Sequence, residues 1–190
     1  MGRAKALLPF GKARLIDHVA ARIDPQVSGL LLNANDPAIM LPGVQSFPDT
    51  IGGFAGPLAG IHAGLVEARR AFPSASHVFM LPVDAPFFPR RIVEDLSSTL
   101  ATPDDVALAS SEGRMHPVMG LWPVSALPGL EAWLADPPTL KVRAFLEGRP
   151  LRVTSYSAIE TPLGPLDPFF NINTPDDLDL ARKMLEALEG

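Results

Sequence analysis

Short, continuous apolar runs alternate along this chain with stretches of helical periodicity. The clearest run, HVFMLPV at residues 77–83, follows a stretch in which Leu58, Ile61 and Leu65 fall on one helical face. A continuous apolar run of this length is typical of a strand buried on both faces of a sheet. Alternation of such strands with helices predicts a doubly wound α/β domain, with a mostly parallel sheet and helices on both faces.

The same two patterns predict the remaining elements. Further strands are predicted at residues 29–32, 44–47, 105–109, 118–122 and 151–154, of which 29–32 is expected to be buried on both faces. Helices are predicted around residues 15–23, 58–72, 92–100, 126–134 and 140–147, and a terminal helix is predicted to begin after a Thr174 cap. No repeat, charge block or low-complexity linker divides the 190 residues, so residues 1–190 are predicted to form a single domain.

The composition restricts the classes of function. Apolar residues make up 47% of the chain and charged residues 19%, which is typical of a globular protein rather than a disordered one. The net charge of −5 argues against a protein that binds nucleic acid or an anionic membrane through broad charge attraction. The absence of cysteine excludes disulfides, zinc–thiolate sites and cysteine nucleophiles. No apolar run approaches the length of a membrane span, so we expect a cytoplasmic protein.

Polar residues terminate three of the predicted strands. Asn33, Asp49 and Asp84 each follow an apolar run. In doubly wound sheets, ligands bind outside the carboxyl ends of the strands. One such residue would mean little, because any strand must end in something polar. Three at one edge of the sheet predict a binding site there.

Asp84 is the strongest single candidate. It lies in the sequence LPVDAPFFP, directly after the best strand and before a turn bounded by proline. A carboxylate in this position is costly to desolvate unless it meets a cation, and Mg²⁺ bound to substrate phosphates is the usual partner. The alternative is that Asp84 only caps the turn that follows it.

Two further features have open interpretations. The glycine-rich loop at residues 49–60 leads into a helix, so its backbone N–H groups could bind an anion, or the loop could be only a tight turn. Arg114 and His116, near the start of a strand, could bind phosphate or lie on the surface.

No Ser-His-Asp or lysine-base arrangement stands out in the sequence. Such an arrangement is unnecessary if the nucleophile is itself a phosphate, because a phosphomonoester is largely a dianion near neutral pH. Catalysis then consists of placing the phosphate in line with the attacked phosphorus and neutralising charge with Mg²⁺ and a lysine.

Several motifs together resemble a known family. They occur in the order MGRAKALLPFG, NAN, PDTIGGFAGPLAGI, PVDAPFFP, HPVMGLW, KVRAFLE and FFNINTPDDL across nearly the whole chain. In this the chain resembles the molybdenum cofactor guanylyltransferases, which attach GMP from GTP to molybdopterin. The resemblance implies a Mg²⁺-dependent enzyme with a Rossmann-like nucleotidyltransferase fold. It also implies GTP and molybdenum-molybdopterin as substrates, with proteins that carry molybdopterin or mature molybdoenzymes as candidate partners.

The resemblance also implies roles on the nucleotide side. Lys5 matches a catalytic lysine that contacts nucleotide phosphates and offsets charge on the leaving pyrophosphate. Asn33 and Asp49 match positions near the guanine nucleoside. Asp84 matches the catalytic, nucleotide-binding aspartate that holds Mg²⁺.

On the acceptor side, the resemblance implies that Asn171, Asn173 and Arg143 bind molybdopterin. The two asparagines have an alternative interpretation as part of the turn that caps the last helix.

The chain departs from the family pattern at its start. The family has Asp where this chain has Ala4. Members of the family also begin with a buried strand and a Leu-Ala-Gly-Gly-x-Ser-x-Arg loop, directly before a Met-Gly that matches Met1 and Gly2. We hypothesise that Met1 is an internal methionine and that the natural protein is longer by about one strand and loop.

Three rival functions remain open at the level of sequence. Two are enzymatic: a cytidylyltransferase acting on the same cofactor and a sugar-phosphate nucleotidyltransferase. The third is a non-catalytic paralogue that binds the cofactor or a partner. Retention of Lys5, Asp49 and Asp84 favours an enzyme over the third.

Overall fold

The computed structural model describes residues 5–50 and 56–189 as a mixed α/β fold. Its strands are β1 (Pro9–Phe10), β2 (Ala13–Arg14), β3 (Leu31–Asn33), β4 (Gln45–Phe47), β5 (His77–Met80), β6 (Val106–Ser111), β7 (Arg114–Pro123), β8 (Leu151–Tyr156), β9 (Ile159–Thr161) and β10 (Gly164–Leu166). Its α-helices are α1 (Leu15–Ile23), α2 (Gly56–Ala71), α3 (Ile92–Ser97), α4 (Leu127–Ala135), α5 (Val142–Leu146) and α6 (Pro175–Glu189). Short 3₁₀ helices cover Lys5–Leu7, Asp24–Gln26 and Val124–Ala126.

The main sheet has four strands in the order β5–β7–β6–β8. Strands β5 and β6 both run antiparallel to β7, and β8 runs parallel to β6. Three of the four strands therefore share one direction. Strands β3 and β4 form a separate parallel pair. The predicted mostly parallel sheet is confirmed, with β7 as the opposing strand.

The antiparallel strand arises from a tight hairpin. Glu112 and Gly113 connect β6 to β7 with φ angles of 48° and 73°. Two consecutive positive φ angles are typical of the turn that joins antiparallel strands, whereas a parallel connection needs a dozen or more residues. Both strands are longer than the sequence patterns predict, because pairing with each other extends them toward the turn.

Helices cover both faces of the sheet, as predicted. Ala107 and Ala109 of β6 belong to the apolar cluster that includes α1 and α3. Val106 and Leu108 of the same strand belong to the cluster that includes α2, α4 and α5. Successive residues of one strand thus contact two different helical layers, because side chains alternate between the two faces of a strand.

A third cluster joins the two ends of the chain. Phe10 of β1 packs with Leu178 and Leu185 of α6. The guanidinium of Arg182 on α6 also donates to the carbonyl oxygen of Pro9, at 2.7 Å. These contacts fix the segment around Lys5 relative to the last helix.

The cap of α6 is formed as predicted. The backbone N–H of Asp177 donates to Thr174 Oγ1 at 3.1 Å, and the Asp177 carboxylate accepts from the backbone N–H groups of Asn173 and Thr174. These hydrogen bonds hold the pKa of Asp177 below its usual value. The turn before α6 is therefore anchored from both sides.

Burial of two strands differs from the prediction. In β3 only Leu32 is buried, whereas residues 29–32 were expected to be buried on both faces. Strand β5 spans only His77–Met80, and all four of its residues are partly exposed. Within residues 5–50 and 56–189, each of these strands pairs along one edge alone. Among the same residues, no helix combines the length and apolarity needed to cross a bilayer.

A substitution at the centre of the main sheet tests its packing. A methyl group at Gly120 would collide with the carbonyl oxygen of Ala107 and lie 2.5 Å from Leu108 Cδ2. Backbone cannot move aside cheaply, so we expect Gly120→Ala to destabilise the protein by about 1–3 kcal/mol. Thermal unfolding should show a fall in Tm of about 2–4 °C per kcal/mol. The same change at Gly60 is the control: its added carbon meets Asn33 Oδ1 at an ordinary contact distance of 3.5 Å, and α2 gains a better helix former. A drop in Tm for Gly60→Ala as large as that for Gly120→Ala would contradict the packing argument.

Candidate active site

Lys5, Asp84 and Asn173 meet at one point of the structure. Lys5 Nζ lies 3.3 Å from Asp84 Oδ2 and 2.8 Å from Asn173 Oδ1. The side chains of Lys5 and Asp84 are 36% and 27% exposed, so a ligand can reach both. We call this group the Lys5 cluster. It joins two residues predicted for the nucleotide side with one predicted for the acceptor side.

The backbone around Asp84 holds this cluster in place. Asp84 is followed by Ala85, Phe87 and Phe88, which are at most 2% exposed and anchor the turn in the core. Its carbonyl oxygen accepts from the backbone N–H of Ile172 at 2.8 Å. Among the described residues, the carboxylate is hydrogen-bonded to Lys5 rather than to the backbone of the turn. This geometry favours a charged site over a simple turn cap.

Asp49 lies at the end of the neighbouring strand pair and is held by Asn35. The Asn35 side-chain amide donates to Asp49 Oδ2 at 2.9 Å, and the Asp49 backbone N–H donates to Asn35 Oδ1 at 2.8 Å. The other carboxylate oxygen, Asp49 Oδ1, is buried without a hydrogen-bond partner among the described residues. A buried acceptor without a partner is costly, so this oxygen is available to a ligand N–H.

Asn33 lies at the same edge of the sheet. It is opposite Phe47 in the parallel β3–β4 register, and its amide donates to the carbonyl oxygen of Phe47 at 3.4 Å. Asn33 is itself exposed. Its Oδ1 lies beside Gly60 of α2, where the missing side chain leaves space next to the amide.

A buried histidine holds the chain next to Asp49. A hydrogen bond of 2.9 Å joins Thr50 Oγ1 to His62 Nδ1, and the histidine is 6% exposed. His62 Nε2 lies 3.8 Å from Glu131 Oε1 on α4. These contacts give His62 a structural role. Residues 51–55 of the glycine-rich loop lie outside the described residues.

The predicted acceptor residues line one cavity of about 800 Å³. Arg143, Asn171 and Asn173 all face it, as do Arg114 and His116 at the start of β7. Both of the latter residues thus border the candidate site, and phosphate binding by them stays a prediction. The cavity is bordered by Asn173, so it adjoins the Lys5 cluster.

Asn173 takes part in the cap of α6 and also contacts the Lys5 cluster. Its backbone N–H donates to Asp177 Oδ2 at 2.9 Å, which is part of the cap of α6. Its side chain points to Lys5 instead. The capping turn therefore sets the direction of the side chain that faces the site.

His116 lines this cavity, and its ring is held by two contacts. A hydrogen bond of 2.8 Å joins its Nε2 to Ser111 Oγ, and its ring lies 4.7 Å from that of Phe169. Burial lowers the pKa of His116; Asp167 raises it, and Arg114 lowers it further. A lowered pKa keeps the imidazole neutral at pH 7, so the cationic groups on the cavity wall are the two arginines.

The described residues offer one carboxylate to a metal ion rather than a complete cage. They contain no group of three or more His, Asp or Glu side chains that could hold a metal. Mg²⁺ is commonly bound by one or two carboxylates together with substrate phosphates, and Asp84 beside Lys5 fits that mode. Lys5 and Asp84 place a cation and an anion side by side. Such a pair can bind the phosphates and the metal of a metal–triphosphate complex.

Asn35, which the sequence reasoning did not single out, holds Asp49 through two hydrogen bonds. We expect Asn35→Ala to raise the KM for GTP on the order of 10-fold, because Asp49 loses its support, while kcat changes little. Asn35→Asp should be worse, since it places a like charge beside Asp49. Steady-state kinetics with GTP and with the acceptor varied separately measure this. Equal effects on the KM of both substrates, or a larger fall in kcat, would contradict the assignment.

Comparison with known proteins shows the family of this chain. The family model described as "MobA-like NTP transferase domain" matches residues 1–153. The molybdenum cofactor guanylyltransferase of Rhizobium meliloti (strain 1021) is 43% identical over 192 residues, covering 100% of this chain and 88% of the relative. That of Rhizobium rhizogenes (strain K84 / ATCC BAA-868) is 44% identical over 190 residues, with coverages of 100% and 88%.

A solved structure supports the fold. The molybdopterin-guanine dinucleotide biosynthesis protein A from Archaeoglobus fulgidus superposes with a TM-score of 0.68 at 20% identity, covering 97% of this chain and 92% of that one. The nucleotidyltransferase fold predicted from the sequence is thereby confirmed. The full-length match to curated relatives and the matching domain model establish that this chain belongs to the molybdenum cofactor guanylyltransferase family.

Proposed function

We propose that this protein transfers GMP from GTP to molybdenum-molybdopterin, releasing pyrophosphate and forming the guanine dinucleotide form of the cofactor. The observation that carries the proposal is the Lys5 cluster, in which Lys5 contacts both Asp84 and Asn173. Asp84 ends the segment that follows β5, and Asn173 borders the arginine-lined cavity. A nucleotide phosphate at Asp84 and an acceptor in the cavity would meet at Lys5.

The reaction is a phosphoryl substitution with a phosphate as nucleophile. A terminal phosphate oxygen of the acceptor forms a bond to the α-phosphorus of GTP, and the bond from that phosphorus to the bridging oxygen breaks. Pyrophosphate leaves with the electron pair. The nucleophile is already an anion, so no general base is required.

Lys5 has the position to support the leaving group. Its ammonium has three donors, and two of them are engaged by Asp84 and Asn173. Within the part of the chain that the structure describes, the third has no partner and can donate to a phosphate oxygen, and the positive charge would offset the charge that develops on pyrophosphate. Mg²⁺ held by Asp84 would supply further charge neutralisation on the phosphates.

Guanine recognition is proposed at Asp49. Asp49 Oδ1 is buried without a donor among residues 5–50 and 56–189, and guanine presents adjacent N–H groups on its ring and exocyclic amine. Cytosine has a ring acceptor in the corresponding place, which would leave the carboxylate facing a lone pair. This argues for GTP over CTP at this site.

Anchoring of the acceptor is proposed for Arg143, Asn171 and Asn173. Together with Arg114 they provide two cations and two amides within a cavity of about 800 Å³. Guanidinium groups suit phosphate recognition because of their planar, forked donors. The molybdopterin phosphate would thus lie beside the Lys5 cluster.

A competition assay tests the proposal. Protein is mixed with molybdenum-loaded molybdopterin, Mg²⁺ and equal concentrations of GTP and CTP, and pyrophosphate and the dinucleotide product are measured. We expect the guanine dinucleotide in large excess. A cytosine dinucleotide as main product would overturn the guanine assignment. Binding of molybdopterin without Mg²⁺-dependent binding of GTP would favour the non-catalytic alternative.

The setting of the reaction is part of the same proposal. A reaction that consumes GTP is placed in the cytoplasm, where molybdopterin-carrying and molybdoenzyme-maturation proteins would deliver the substrate and receive the product. Co-purification of such proteins with a tagged form of this chain checks that expectation.

A further inference from the structure

The cavity next to the Lys5 cluster is lined by negative as well as positive charge. Arg114 and Arg143 suit the phosphate of an acceptor, but Glu112 and Asp167 also line the cavity. A carboxylate repels a phosphate, so a ligand made only of anionic groups would face Asp167 unfavourably. The mixed lining therefore fits a ligand that carries N–H donors in addition to its phosphate.

Asp167 is held by the turn that it begins. Its Oδ1 accepts from the backbone N–H of Phe169 at 2.9 Å, and its carbonyl oxygen accepts from the backbone N–H of Phe170 at 3.0 Å. Phe169 is 1% exposed, and its ring centroid lies 4.7 Å from that of His116 and 5.5 Å from that of Tyr156. The carboxylate is thus fixed by a turn that is anchored in the core.

The carboxylate of Asp167 can accept more hydrogen bonds than the turn uses. The turn engages Oδ1 once, and Oδ2 has no hydrogen-bond partner among residues 5–50 and 56–189. Each carboxylate oxygen has two lone pairs, so the group can still accept from two neighbouring donors. Asp167 is partly exposed and borders the cavity, so a ligand can reach it.

Phe170 adds an aromatic ring to the same turn. It is partly buried and lines the same cavity. Flat heterocycles are commonly bound by stacking on an aromatic side chain while polar groups contact their edge. A carboxylate and a phenyl ring in one turn therefore fit a flat heterocycle with N–H groups on its edge.

One short segment connects this turn with the Lys5 cluster. It runs from Asp167 to Asn173, whose Oδ1 accepts from Lys5 Nζ at 2.8 Å. Within the segment, Ile172 is fully buried, and its backbone N–H donates to the carbonyl oxygen of Asp84 at 2.8 Å. A ligand bound along the segment would have one end at Lys5 and the other at Asp167.

We propose that Asp167 recognises the pterin ring of the acceptor by accepting from its ring N–H and its exocyclic amine, while Phe170 stacks on the ring. This inference rests on the proposed function and assigns the part of the acceptor that lies away from the phosphate. A pterin has the same amino-oxo pyrimidine edge as guanine, so both substrates present the same pair of donors. Asp49 and Asp167 would then be equivalent carboxylates, one for each ring.

Binding of free pterin tests this without any transfer reaction. Pterin and lumazine are titrated separately against the protein, and the fluorescence of each ring reports binding. Lumazine has a carbonyl oxygen in place of the exocyclic amine, so it would place an acceptor against the carboxylate. We expect the unmodified protein to bind pterin at least about 10-fold more tightly than lumazine.

Asp167→Asn should reduce this preference for pterin at least about 10-fold, because an amide can donate to the carbonyl oxygen of lumazine. The variant keeps an oxygen that can accept from the Phe169 N–H, so the turn should stay intact. Glu112→Gln neutralises the other carboxylate of the same cavity and is the matched control. We expect the control to leave the preference unchanged.

Two further variants separate the ring from the guanine position. Phe170→Leu should weaken binding of both free rings on the order of 10-fold, since it removes the stacking surface. Asp49→Asn should weaken binding of GTP and leave binding of pterin unchanged.

The proposal would be overturned if the unmodified protein bound no pterin, or if Asp167→Asn left the preference as it was. Loss of pterin binding in Asp49→Asn would also overturn it, because the ring would then occupy the guanine position. A protein that distinguishes pterin from lumazine through Asp167 but transfers no GMP would count against the proposed function alone.

Discussion

Asp84→Asn is expected to reduce kcat/KM for GMP transfer by on the order of 10³-fold. The substituted amide would keep the shape of the side chain but lose the charge that attracts Lys5, which lies 3.3 Å away, and that is proposed to bind a metal. A neutral amide is a poor Mg²⁺ ligand, and the phosphates would then meet less positive charge in the transition state.

The assay for this variant is single-turnover formation of the dinucleotide at saturating Mg²⁺. Thermal unfolding checks that the fold is intact, and Asp136→Asn on the exposed end of α4 provides a matched control. We expect the control to keep the activity of the unmodified protein. If Asp84→Asn retained more than about a tenth of that activity while folded, Asp84 would not be the metal-binding residue.

Lys5→Met is expected to lower kcat by about 10²–10³-fold, with a smaller change in the KM for GTP. The methionine side chain is similar in length but removes the donor to Asn173 and the positive charge beside Asp84. Charge on the leaving pyrophosphate is greatest in the transition state, so kcat should bear most of the loss.

Two comparisons sharpen the test of Lys5. Lys183→Met, at an exposed position of α6, removes a lysine without touching the site. The double variant with Asp84→Asn should lose less than the product of the two single effects, because the residues are in direct contact. A rise in KM with kcat unchanged would show that Lys5 only binds the nucleotide in its ground state.

Local sequence patterns predicted most of the helices and strands. They did not predict which strands lie next to each other in the sheet. The apolar run at 77–83 and the helical faces are properties of short segments, and each corresponds to an element in the structure. The direction of β7 depends on the Glu112–Gly113 turn, which the hydrophobic pattern does not include. β7 pairs with β5 and β6, and β5 is distant from it in sequence. Hydrophobic periodicity does not reveal which distant strands pair.

Some residues of the candidate site could be predicted from local sequence, and others depend on the fold. Lys5 and Asp84 could be predicted because each lies in a distinctive motif. The role of Asn35 depends on the β3–β4 register, which brings it opposite Asp49 fourteen positions later. Two asparagines spaced by one residue at a strand end, with an aspartate after the next strand, were the available signal. That Asn173 contacts Lys5 follows only from the packing of α6 against β1.

The joining of β1 to α6 has a consequence for how the protein is made. Lys5 and Asn173 are separated by 168 positions, and α6, which anchors both, follows every other described element in the order of synthesis. On the ribosome, a growing chain that already exposes Lys5 and Asp84 must wait for this helix before the Lys5 cluster can close. The Lys5 cluster therefore forms only once α6 has left the ribosome, and a chain terminated before it would lack the contacts that orient its lysine.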